Sequence, residues 1–351
     1  MKKKIQILAV LVFICTLLPA QPPTGYYESA FGTKKEVLKT AMKEIIQPHQ
    51  QRSYADLWDD FQITDKNEGG KVWDMYSDCN FTFISKQCGN YLNICDCYNR
   101  EHSMPKSWFN DGYPMYTDLF HLYPTDGKVN GYRGNHPFGE TNGTKYGTGK
   151  LGSSTFPGYT GTVFEPADEY KGDFARTYFY MVTCYEDNVT SWTNTEAKQM
   201  LNATKYPSFQ PWAINLLLKW SRNDKVSQKE IDRNNAVFEI QENRNPFIDY
   251  PQLAEYIWGD SITYVFDPKK NVAIKRTATT LPITYIADAT LHIENITNEV
   301  GIQIYNIFGQ LILKTQPVKN SYSVSLTKEQ LYIIHITDSA GSIYTYKAIS
   351  K

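Results

Sequence analysis

Glu101 and His102 stand side by side in the stretch 95–106, and together they could do chemistry. A carboxylate can hold a hard cation, and an imidazole can take a proton from water. The chain has six histidines, so one Glu-His neighbour can arise by chance, and a histidine is more often structural than catalytic. The pair therefore needs support from the elements around it. Downstream, Pro124 and Asp126 can start a short helix. On it Asp126, Asn130 and Arg133 would share one face at i, i+4 and i+7. Two glycines inside that helix would weaken it in isolation, so tertiary contacts must hold it.

The cysteines lie just ahead of the pair. Of six, Cys15 falls in the leader described below, which leaves Cys79, Cys88, Cys95, Cys97 and Cys184. In an exported chain these should be mostly disulfides. The cluster from Cys79 to Cys97 could staple the loop that presents Glu101 and His102, and the odd count leaves one thiol over. A zinc site is the competing reading, but the spacings are not paired as C-x-x-C units.

Three lysines, an apolar run from Ile5 to Leu18, and a small residue at Ala20 read as a secretory leader over residues 1–20. No later segment is apolar and long enough to span a membrane. The length points to about two domains. The formal net charge of -1 does not steer the chain toward nucleic acid in bulk, so an anion-binding surface must be a local patch. The 26 tyrosines suit a wet, exposed protein with many half-buried rings.

In chain order, Thr33 and Glu36 read as a capping box, with a helical stripe from Val37 to Ile45 that Pro48 ends. Residues 139–162, rich in Gly, Thr and Ser, read as loop. Phe174 to Met181 reads as a buried helix, and Leu216, Leu217 and Trp220 as another stripe beginning after Pro211. A further helix runs from about Ser227 to Glu242, and its charges Lys229, Glu230, Asp232 and Arg233 read as a solvated face. After Trp258 the composition shifts. Residues 261–282 read as a linker, and 283–351 as short alternating strands with turns at Phe308-Gly309 and Ala340-Gly341. That spacing argues a small β-sandwich with no acid-base cluster of its own. The fold class is α+β.

Several stretches together resemble the secreted endonuclease I family. They are Asn99 to Trp108, Asp118 to Pro124, Val129 to Asn135, Phe164 to Pro166, Lys171 to Arg176 and Glu239 to Phe247. The likeness covers roughly residues 25 to 260, within an expected nuclease domain of 21–260. It implies a ββα-metal (His-Me finger) nuclease core with helices around it. It also implies His102 as general base, with Glu101 and Asn130 as ligands of one divalent cation. Magnesium fits that set, with calcium or manganese as alternatives. The family uses an arginine near the scissile phosphate, for which Arg133 and Arg176 are candidates. His121 stands where many relatives carry asparagine, and it either orients the site or packs. The implied reaction is hydrolysis of DNA, and of RNA as a further substrate, by a monomer with little sequence preference and 5′-phosphate products. The last seventy or so residues resemble the C-terminal sorting domain of type IX secretion substrates, which implies export through the periplasm by that machinery. Two rival readings are a zinc-dependent hydrolase built on the cysteines and a non-catalytic surface adhesin.

Overall fold

Apolar side chains gather in the helical stretches between residues 171 and 223, and there the chain builds much of its core. The computed structural model describes residues 22–268, 283–287, 289–338 and 343–350. The leader expected over 1–20, the linker from 269 onward and the turn at Ala340-Gly341 lie outside the described residues. The chain divides into two compact units, Met1–Pro268 and Lys269–Lys351.

In the first unit the helices are α1 (Lys35–Ile46), α2 (Leu57–Thr64), α3 (Gly127–Arg133), α4 (Lys171–Cys184), α5 (Glu186–Val189), α6 (Pro211–Asn223), α7 (Gln228–Gln241), α8 (Pro246–Asp249) and α9 (Leu253–Ile257). The strands are β1 (Tyr98–His102), β2 (Leu122–Asp126), β3 (Thr144–Tyr146), β4 (Gly149–Ser153) and β5 (Thr162–Glu165). Helix α4 is buried on nearly every side and packs against α1 and α6. Its Phe174, Tyr178 and Phe179 join Leu216, Leu217 and Trp220 of α6 in one core.

The charges on α7 do not form a solvated face. Only Asp232 of the four is exposed. Glu230 closes a capping box with Ser227 and pairs with Arg176 of α4, Nε to Oε1, at 2.5 Å. Arg233 is buried against Asp65, 2.8 Å from Nε to Oδ1, and donates to the carbonyls of Leu119 and Leu122 at 2.8 and 2.7 Å. That guanidinium grips the chain where it enters β2. Removing one partner of such a pair typically costs about 3–5 kcal/mol, because the other charge stays buried alone.

Two local expectations give way to tertiary contacts. The capping box at Thr33 does not form: its hydroxyl donates to the Ala30 carbonyl, and its backbone bridges to Phe266. Phe266 is itself buried, so packing of the first unit runs past the boundary expected at 260. The stretch 139–162 holds strands rather than loop alone, since β3, β4 and β5 form an antiparallel sheet. Glycine is needed there for close approach. A Cβ on Gly143 would lie 2.1 Å from the Leu151 carbonyl oxygen.

The second unit contains β6 (Ile283–Ala287), β7 (Thr290–Asn306), β8 (Leu311–Lys314), β9 (Val318–Ser325), β10 (Gln330–Asp338) and β11 (Ile343–Ser350). The long β7 organises them. Its first residues pair with β6 on one edge and β9 on the other. Its last residues pair with β10 and β8. Register shifts between Ile293 and Val300 mark where the strand turns from one set of partners to the other. Leu291, Ile293, Ile302 and Ile304 bury one face at period two, against Tyr332, Ile334 and Ile336 of β10. The result is sandwich-like, so the whole chain is α+β.

The disulfides are Cys79–Cys95 and Cys88–Cys97, and Cys184 is a buried free thiol. Both bridges restrain residues 79–97, just before β1. Replacing Cys79 and Cys95 together by serine should lower the unfolding free energy by about 2–5 kcal/mol, read by urea denaturation. An unchanged midpoint would show that the bridge restrains nothing the fold needs.

Candidate active site

Strands β1 and β2 pair antiparallel, with Glu101 opposite Tyr123 and His102 opposite Leu122. Helix α3 follows β2 without a gap, so the three elements form a ββα unit. Residues 103–121 join the strands and include 3₁₀ turns at Lys106–Phe109 and Met115–Thr117.

Asp126 sets α3 in place. It is the N-cap, and its Oδ1 accepts from the backbone N–H groups of Lys128 and Val129 at 2.8 and 2.9 Å. Its Oδ2 accepts from the Cys95 N–H at 2.6 Å, which ties the helix to the disulfide-bonded loop. Tyr91 of that loop lies against the two glycines of α3. A Cβ on Gly127 would come within 2.7 Å of its ring, and one on Gly131 within 2.6 Å of its hydroxyl. The glycines that weaken the isolated helix thus make the seat for this ring. Cys79, Cys95 and Asp126 offer ligand atoms within 4.8 Å of one another, but the two sulfurs are bonded together, so this trio has no thiolate for zinc.

Side chains alternate along β1. Asn99 and Glu101 turn toward α3, while Arg100 and His102 turn toward Tyr54 and Tyr116. Glu101 is buried, and its Oε1 accepts from the Tyr76 hydroxyl at 2.7 Å and from Arg133 Nη1 at 2.9 Å. Burial raises the carboxyl pKa, while the Arg133 guanidinium and the Tyr76 hydroxyl work to lower it. Oε2 accepts no hydrogen bond from a described residue. Asn130 is half-buried on α3, and its Nδ2 donates to Asn99 Oδ1 at 2.8 Å. That bond aims the amide and leaves Oδ1 without a donor among the described residues.

His102 is the last residue of β1, and its Nε2 lies 3.0 Å from the Tyr116 carbonyl oxygen. A carbonyl only accepts, so Nε2 carries the hydrogen, and in the neutral ring Nδ1 holds a free lone pair. Burial, helped by neighbouring His121, pushes the imidazole pKa well below its ordinary value, so the ring is neutral near pH 7. His121 is fully buried, with Nε2 2.6 Å from the Met115 carbonyl oxygen and its ring 5.5 Å from that of His102. Two neighbouring carbonyls of one 3₁₀ turn thus set the tautomers of both histidines.

The two arginines named as phosphate candidates are occupied inside the protein. Arg133 is 1% exposed, and besides Glu101 it donates to the carbonyls of His102 and Ser103. Arg176 is equally buried and bonds to Glu230, Asp173 and the Asp224 carbonyl. Burial turns both guanidiniums away from an outside phosphate. A residue that sequence reasoning passed over is Arg100. It is half-buried, it stacks 3.5 Å above the Tyr54 ring, and it has no carboxylate partner among the described residues. Its signal was its place, directly before Glu101.

The model of the endonuclease I family matches residues 34–252, which includes every element just described. An extracellular ribonuclease of Bacillus amyloliquefaciens is 34% identical over 249 residues, covering 69% of this chain and 81% of that protein. One from Bacillus subtilis is 35% identical over 240 residues, covering 66% and 78%. Endonuclease-1 of Buchnera aphidicola is 29% identical over 133 residues, covering 38% of this chain and 46% of its own. A match of this extent, laid over a ββα unit that ends its first strand in Glu101 and His102, makes the chain a phosphodiester-hydrolysing member of the endonuclease I family.

Proposed function

We propose that this chain is an exported endonuclease that cuts DNA and RNA with His102 as general base and one divalent cation held by Glu101 and Asn130. The observation that carries the reading is the His102 tautomer, which leaves Nδ1 unprotonated at the end of β1, one residue after Glu101. The extracellular ribonucleases among its relatives support the inclusion of RNA and the location outside the cell, as do the two disulfides.

The donor set fits a hard cation. Glu101 Oε2 and Asn130 Oδ1 are both oxygens, and neither accepts a hydrogen bond from a described residue. Two protein ligands leave room for water and substrate, as magnesium usually requires. A bound divalent cation supplies positive charge where the phosphate oxygens gain negative charge in the transition state. His102 Nδ1 takes the proton from the attacking water. The imidazolium that results keeps its Nε2–H on the Tyr116 carbonyl, so the ring need not turn. Arg133 acts as a positioning residue: it holds Glu101 Oε1 and leaves Oε2 for the cation. The water oxygen bonds to phosphorus as the bond to the 3′ oxygen breaks; that oxygen takes up a proton from water, and the phosphate remains on the 5′ end. Backbone contacts carry no base information, so sequence preference is low. Residues 21–260, completed by packing as far as Phe266, carry this activity. The sandwich that follows serves as the sorting domain for type IX export.

Activity should require a divalent cation. Plasmid nicking should stop in chelator and return with added magnesium, and full-rate cutting in chelator would end the metal reading. His102→Ala should lower single-turnover cleavage by about 10²–10⁴ while leaving nucleic-acid binding nearly intact. Glu101→Ala should lose cation affinity, so that raised magnesium partly restores it, whereas magnesium should not restore His102→Ala. Cleavage by His102→Ala within a few fold of the parent would make that histidine structural. A chain ending at Pro268 should fold and cut like the full chain, and lost activity in that folded truncation would assign the second unit a part in the site.

A further inference from the structure

On the His102 side of β1, aromatic rings and cations form a ladder. Tyr116 stacks on His102, with centroids 5.1 Å apart and planes 20° apart. Tyr54 stacks on Tyr116 at 4.6 Å and 25°. Arg100 closes the inner end, 3.5 Å above Tyr54 and 4.3 Å from the Trp58 ring. Tyr113 closes the outer end, edge-on to Tyr116 at 5.4 Å and 70°. Lys106 lies 5.4 Å above Tyr116 and is paired with Asp111 at 2.9 Å, so the cation without a carboxylate partner among the described residues of this ladder is Arg100.

Tyr113 differs from the other rings. It is 51% exposed, and its hydroxyl makes no hydrogen bond to a described residue. A large ring held by an edge contact, with an open face and no anchored hydroxyl, offers water a flat apolar surface two ring contacts from the general base. Nucleobases present matching surfaces, and stacking on aromatic side chains tolerates any base, since every base has a π-face. In a duplex those faces are covered by the neighbouring base pairs, and only an unpaired base can lie on a protein ring. The guanidinium at the inner end adds a cation for the strand's phosphates.

We propose that this ladder is a subsite for one unpaired base next to the scissile phosphate, with Tyr113 as its stacking face, and that the enzyme therefore prefers single-stranded nucleic acid. The proposal rests on the nuclease reading above and adds the form of the substrate to it. The sequence could not show the subsite, because Tyr54 comes from one segment and Tyr113 and Tyr116 from another, and the rings meet only in the fold.

The test measures kcat/KM of the full chain, in magnesium, on one oligonucleotide offered as a single strand and as a matched duplex. The parent should cut the single strand faster. Tyr113→Ala should lower kcat/KM on the single strand by about 5- to 150-fold with little change on the duplex, and Tyr113→Phe should retain the parent's preference. A second readout needs no cleavage. A single strand carrying 2-aminopurine, mixed with chelator-treated full chain, should lose fluorescence as the base stacks, and Tyr113→Ala should abolish that loss. Equal rates on both substrates, or equal losses on both in Tyr113→Ala, would overturn the subsite and leave the nuclease standing. A parent that cuts neither substrate would remove the nuclease reading. Quenching that depends on Tyr113 would then still support a base-binding surface, and its absence would overturn that as well.

Discussion

The Asp126 carboxylate spends its two oxygens on two different parts of the molecule, and the site depends on that division. One oxygen caps α3, and the other holds the backbone of Cys95. A capping carboxylate contributes typically about 1 kcal/mol to a helix, which is little in a large domain but much for a helix as short as Gly127–Arg133. Asn130 and Arg133 both project from this helix, and both reach β1. The helix, the strand and the disulfide-bonded loop therefore share one anchor. Asp74 reinforces it by accepting from the Asp126 N–H, and burial raises the Asp74 pKa to about 7.

A second constraint works from below. Arg133 is completely enclosed, yet it is a charge, and a buried charge must be paired. Its partners are the Glu101 carboxylate and the backbone carbonyls of His102, the last residue of β1, and Ser103, the next. The same guanidinium thus fixes the rotamer of Glu101 and the direction in which the chain leaves His102. Arg233 does the matching work at the entrance to β2. The short two-stranded sheet, five paired positions long, is gripped by two buried cations at the one end where His102 pairs with Leu122.

What could be read from the sequence was local. Adjacent Glu101 and His102, a short helix that carries Asn130 and Arg133, and the helical stripes of α4 and α6 all act within a few residues, and each appears in the structure; Asp126 caps that helix and does not share its face. The alternation of Leu291 and Ile293 likewise marked strands. What could not be read depended on distant partners. Arg233 and Asp65 are 168 residues apart, so a buried ion pair looked like a charged outer face. Thr33 has the spacing of a cap but is claimed by Phe266 from the far end of the unit. Glycine at 143 looked like loop because composition records flexibility, whereas here it permits close contact between strands. The arginines followed the same pattern. A guanidinium near a motif is equally suited to a phosphate outside or a carboxylate inside, and only the fold decides between them.

The seat that Gly127 and Gly131 make for Tyr91 has a consequence for anyone wishing to make this protein sturdier. Helix α3 carries glycine at two positions where alanine is ordinarily worth about 1 kcal/mol, and an engineer scanning for easy gains would start there. Here either methyl group would collide with the ring and lever the loop away from the helix that carries Asn130. Thermal robustness at these positions is bought with alignment of the amide. Directed evolution for heat tolerance should therefore leave this helix alone and collect its improvements elsewhere on the scaffold.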